Sequence, residues 1–189
     1  FVSIVQVYRA VRALEFVRRA YEYSWSLGIP RIGWINSFPT RLPFSEGCAL
    51  GDLIALGIRL SDAGAGDYWD DVDAVVRNQL AEAQICNRQL LAKAISAQPD
   101  SRPDEIGKYP GQEIAENVAT RALGTFFHCT TPGGVPGDWW LHSMSCCTGN
   151  GSQGIYYAWE GIVREQGETT VVNLLLNRAA RSLDLDSYL

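Results

Sequence analysis

Apolar residues three and four positions apart, repeated in one segment after another, are what most limit the folds open to this chain. From the start they fall at Ile4, Val7, Val11, Leu14, Val17 and Tyr21, while Arg9, Arg12, Arg18 and Arg19 mostly take other faces. That period predicts an amphipathic helix, ending near Gly28 and Pro30. Pro30 to Pro43, with Trp34, Asn36 and Pro39 and no period, reads as a long irregular loop. A second helix is expected from about Ala49 to Leu60, stopping at Gly64 and Gly66. A third has Asp67 as N-cap and Trp69, Val72, Val75, Val76 and Leu80 on one stripe, running on toward Cys86.

Arg88 to Ala97 gives a shorter helical stretch, and the prolines and glycines of Gln98 to Gln112 a loop. Ile114, Ala115, Val118, Ala119 and Ala122 make a further stripe. Ile155, Tyr156, Trp159, Ile162 and Val163 mark the last helix, and only Thr169 to Leu176 has the β-branched look of a strand. The expected fold is mainly α, an array of helical hairpins that leads into a β region.

Composition removes several classes of function. The balance of 47% hydrophobic and 20% charged residues belongs to a folded globular chain. Sixteen Lys and Arg against 21 Asp and Glu leave a net charge of −5, without the positive field that holds a phosphate backbone, so a nucleic-acid partner is not expected. No stretch has the roughly 18 apolar residues of a membrane span, and a signal-peptide pattern is missing, which favours a cytoplasmic location. Phe1 at the start and Met144 as the sole methionine point to a piece of a longer protein.

Five cysteines is an odd number, and Cys146 and Cys147 are adjacent. Neighbouring Cα atoms lie about 3.8 Å apart, inside the usual lower limit of about 4.4 Å for a disulfide. Reduced thiols kept for metal binding or catalysis fit better. Two motifs stand out: Ser45-Glu46-Gly47-Cys48 at the mouth of the second helix, and Ser145-Cys146-Cys147-Thr148-Gly149-Asn150-Gly151 on a turn ahead of the last. Gly47 permits the bend that lets Glu46 and Cys48 converge, and a helix N-terminus favours thiolate over thiol.

Glu46, Cys48, Cys146 and Cys147 together offer three sulfurs and a carboxylate, a set that suits tetrahedral zinc. Two other readings stay open: cysteines packed as small apolar side chains, as expected for Cys86, and a metal-free redox dithiol. His128, beside Phe126, Phe127 and Cys129, reads as a core histidine.

The blocks Ser45 to Asp52 (SEGCALGD), Gly66 to Val72 (GDYWDDV) with Arg77-Asn78-Gln79-Leu80, and the Cys146-Cys147 pair resemble the catalytic domain of glycoside hydrolase family 127, the β-L-arabinofuranosidase family. The resemblance implies that residues 1–166 are later helices of an (α/α)6 barrel, a toroid, and that 167–189 are the transition into a β-sandwich. It implies a retaining hydrolase of L-arabinofuranosides or related furanosides, with zinc held by Glu46, Cys48, Cys146 and Cys147. In such a hydrolase Cys146 is the nucleophile. A carbohydrate partner and a homo-oligomer are in keeping with it, and Trp139, Trp140, His142 and Trp34 are the residues expected to meet the sugar.

One part of the family pattern is absent. Its acid/base glutamate lies shortly before the Glu-x-Cys motif, yet no Asp or Glu occurs from Ser24 through Ser45. The alternative is a non-catalytic, zinc-stabilised carbohydrate-binding or scaffold relative. Gly149 to Gly154 spells G-x-G-x-x-G, but no buried strand precedes it and Asn177-Arg178 stands where an acid is needed, so a nucleotide site is not expected.

Overall fold

The computed structural model describes residues 11–38, 45–97, 117–130, 145–180 and 183–185. Ile4, Val7, the Gln98 to Gln112 loop, Ile114, Ala115, Trp139, Trp140 and His142 lie outside them. The described residues are mainly helical, with small two-stranded antiparallel sheets.

Helix α1 (Val11–Ser26) turns Val17, Tyr21 and Trp25 into the core. Val11, expected on the same stripe, is 76% exposed, so burial starts a turn later at Leu14. The expected irregular loop begins instead as a hairpin: β1 (Gly28–Ile29) pairs with β2 (Trp34–Ile35) across a 3-10 turn, Pro30–Ile32. Gly33 makes this reversal at φ 66, where a side chain would also run into the Ala74 backbone.

Helix α2 (Gly47–Asp62) is the centre of the molecule. It buries Leu50, Leu53, Ile54, Ile58 and Leu60, and it begins two residues before the apolar pattern suggested, so Cys48 is inside its first turn. Burying each such side chain contributes about 1.5–3 kcal/mol. A helical run follows as α3 (Trp69–Ala74), a π-helical stretch (Val75–Leu80) and α4 (Ala81–Ala83). Asp67 Oδ1 accepts from the Trp69 N–H at 3.3 Å, although the helix boundary falls at Tyr68. The run stops short of Cys86, which is exposed rather than packed on a helix. Helices α5 (Arg88–Ala97) and α6 (Val118–Ala122) come next.

Helix α7 (Ser145–Gly161) packs along α2. Ile155, Tyr156 and Trp159, the expected inner stripe, face solvent. The buried face is small instead: Cys147, Gly151, Gly154, Ala158 and Gly161, in steps of four and three. The reason is the closeness of the two backbones. A Cβ on Gly51 would come within 2.3 Å of Asn150 O, and one on Gly154 within 3.1 Å of Gly51 Cα.

The chain then turns to hairpins. Strand β5 (Val163–Gln166) pairs with β6 (Thr169–Val172) around Gly167 at φ 64, and β7 (Arg178–Ala180) pairs with β8 (Leu183–Leu185). The predicted strand from Thr169 thus ends at Val172, where Asn173 turns its N–H back to Ile162 O at 2.8 Å.

Candidate metal centre

Three chain segments are laced together at the N-terminal end of α2. Strand β3 (Ser45–Glu46) pairs antiparallel with β4 (Cys129–Thr130), which sets Glu46 opposite Cys129. The first N–H of α2, on Gly47, donates to His128 O at 2.7 Å, and the Glu46 N–H donates to Ser37 Oγ at 2.9 Å. On its other side the same segment is held by α4, where the Phe127 N–H donates to Ala83 O at 2.9 Å. The Phe126 N–H reaches Thr148 Oγ1 at 3.2 Å and so ties α7 to the group.

Gly47 makes the last approach possible. A Cβ there would sit 2.5 Å from Phe127 O and 3.0 Å from Cys147 Cβ. Without one, Glu46 and Cys48 press directly on the start of α7. Cys146 and Cys147 themselves occupy the first turn of α7, not a turn ahead of it.

The Sγ atoms of Cys48 and Cys147 are 3.5 Å apart, and those of Cys146 and Cys147 3.8 Å. His128 Nδ1 is 3.5 Å from Cys147 Sγ and 3.8 Å from Glu46 Oε1. Two overlapping groups result, Cys48/Cys146/Cys147 and Glu46/His128/Cys147, each with its ligand atoms within 4.8 Å of one another. Either could hold a metal ion. Tetrahedral zinc, with Zn–S about 2.3 Å and Zn–N about 2.0–2.1 Å, needs S···S near 3.8 Å and S···N near 3.5 Å. The Cys146–Cys147 and His128–Cys147 spacings match that geometry, and the Cys48–Cys147 spacing is a few tenths of an ångström shorter.

Cys147 is the shared member of both groups and has no exposed surface, whereas Cys146 is exposed. The expected ligand set is therefore brought together, but not as a ring of four: Glu46 reaches Cys147 alongside His128, and the thiols gather on the other side. His128 is thus not a core residue.

Two opposing fields act on the thiols. Helices α2 and α7 both point their N-termini at the cluster, with no acidic residue in either first turn, which favours thiolate. Burial acts the other way and wins. It pushes the Cys48 thiol up, and burial together with the neighbouring Cys48 and Cys146 holds Cys147 well above the usual thiol range. Without a cation, then, these two thiols keep their protons at neutral pH. Cys129 is pushed up to about 11 by burial first and Glu46 second, and it packs as an inert core residue.

Beside the cluster opens a cleft of about 300 Å³, lined by Ser24, Leu27, Asn36, Phe38, Glu46 and Asp52 among others. Its walls mix apolar and hydrogen-bonding groups, as small-molecule sites do. Trp34, expected to meet a sugar, is instead 4% exposed, with its indole N–H directed at Thr130 O at 3.4 Å. It pins the hairpin to β4. His128, read from the sequence as a core histidine, and Asp52, not singled out there, are the site residues that the structure adds. His128 owes its place to the β3–β4 pairing, a long-range contact, while Asp52, four residues after Cys48, was open to a helical-spacing argument.

Comparison with protein-family models, curated proteins and solved structures finds no match to the chain. The geometry of the centre and the residues that build it are therefore the basis for any functional reading.

Proposed function

We propose that this chain carries the metal centre of a retaining glycoside hydrolase acting on L-arabinofuranosides or related furanosides, and that its helices are later members of an (α/α)6 barrel. The observation that carries the reading is the meeting of Cys48 with Cys147, 99 positions away, together with Glu46 and Cys146, beside a cleft of mixed apolar and polar lining. Cys48, Cys146 and Cys147, with Glu46 and His128 on the adjoining side, would hold zinc. Bound zinc supplies the positive charge that keeps such thiols ionised at neutral pH.

Cys146 is the nucleophile that the resemblance implies, and it is the exposed member of the vicinal pair. Its thiolate attacks the anomeric carbon as the glycosidic oxygen leaves. Water then displaces the sulfur from the opposite face, the one the leaving group vacated, and two inversions give retention. Cys147, fully buried, anchors the site from behind.

One observation favours a second reading. No carboxylate occurs from Ser24 through Ser45, where the family's acid/base residue belongs. The same ligands would then brace β3, β4 and α7 in a non-catalytic, zinc-stabilised carbohydrate-binding or scaffold protein.

An arabinofuranose bearing a haloacetamide group separates the two. Incubated with the full-length protein and followed by peptide mass spectrometry, it is expected to label Cys146, and Cys146→Ser should lose both the label and furanoside turnover. No label and no turnover of any furanoside favours the scaffold. Normal hydrolysis by Cys146→Ser overturns the nucleophile assignment.

A further inference from the structure

The glycosidase reading needs a group that protonates the leaving oxygen and later deprotonates water. From its place in the cleft we infer that Asp52 is this group, an inference that rests on the reading above. Among the ten residues that line the cleft, Glu46 and Asp52 are the carboxylates. Glu46 is committed, since its Oε1 faces His128 within the metal-binding group. Asp52 is not. Among the described residues no hydrogen bond or ion pair engages its side chain.

Helix geometry explains the placement. Cys48 and Asp52 are four residues apart on α2, so they share a face with one turn, about 5.4 Å, between them. Gly51 and Leu53, to either side, are buried against α7 and the core. Asp52 is the residue that this register turns outward, into the cleft walled on the far side by Ser24, Leu27 and the Asn36 to Phe38 strap. Of the thiols, Cys48 lines this cleft, and the Cys146 sulfur lies within 4.8 Å of it in the same ligand group, so a sugar seated there would have its anomeric carbon toward that end and its leaving oxygen toward Asp52.

In the first step the Asp52 proton passes to the glycosidic oxygen while the C–O bond breaks and the Cys146 sulfur bonds to carbon. In the second, the Asp52 carboxylate takes a proton from water, whose oxygen bonds to the same carbon while the C–S electron pair returns to sulfur. The sum is hydrolysis, with Asp52 protonated again.

The test compares wild-type full-length protein with Asp52→Ala and Asp52→Asn on two arabinofuranosides, one with a methanol leaving group and one with 2,4-dinitrophenol. A lost acid should lower kcat/KM for the methyl glycoside by about a hundred- to ten-thousandfold. For the dinitrophenyl glycoside, which needs no proton to leave, kcat/KM should stay within about tenfold. Azide should restore turnover of Asp52→Ala and appear in the product as a glycosyl azide. Zinc content and circular dichroism unchanged in Asp52→Asn separate this loss from misfolding.

Equal losses on both glycosides, or no loss on the methyl glycoside, overturn the Asp52 assignment while wild-type turnover leaves the glycosidase reading standing. A wild type that releases neither alcohol overturns both.

Discussion

Cys147 is the residue on which the centre turns, because it belongs to both candidate ligand groups and is wholly enclosed. Its thiol and that of Cys48 are held above their ordinary value of 9.0, so an incoming cation has to displace their protons. Zinc affinity should therefore rise with pH, by up to about a hundredfold per pH unit if two protons leave. Competition with a chelator at several pH values near neutrality measures this slope, and a flat profile would mean that thiols are not the ligands. For the metal-free chain the sign is opposite. A raised native thiol favours the protonated folded state, so this contribution is intact below about pH 9 and is lost as the pH climbs past it. Glu46, Cys48, Cys146 and Cys147 were legible in the sequence because their types are rare and their motifs compact. His128 was not, since only strand pairing brings it to Glu46.

At the scale of elements, α7 shows why an apolar stripe is an incomplete guide. Its large residues Ile155, Tyr156 and Trp159 face outward, and Arg178 stacks over Trp159 at 4.7 Å. Its small residues bury instead, since only small side chains leave room for the α2 and α7 backbones to approach this closely. Gly51→Ala should accordingly destabilise the chain by about 1–3 kcal/mol, because its Cβ meets backbone on α7 that cannot yield without moving the helix. Tyr156→Ala should stay within about 0.5 kcal/mol. Denaturant unfolding of the two variants checks the contrast, and equal effects would count against the packing described. Helices α1, α2 and the run from Trp69 were readable from period, whereas the β1–β2 hairpin was not. Its strands are two residues long and depend on Gly33 fitting against α3.

Over the whole molecule, the α2–α7 packing and the segment 124–130 place the two cysteine motifs on one another. Long-range order of this kind leaves no local trace in a sequence, which is why the motifs were visible and their mutual distance was not. Everything proposed for the protein depends on these side chains taking up one divalent ion. X-ray absorption at the zinc edge of the purified protein tests that directly. The expected result is one zinc per chain with sulfur neighbours at about 2.3 Å, and loss of that shell in Cys147→Ala. A protein that takes up no zinc, or one whose zinc has only oxygen and nitrogen neighbours, would contradict it.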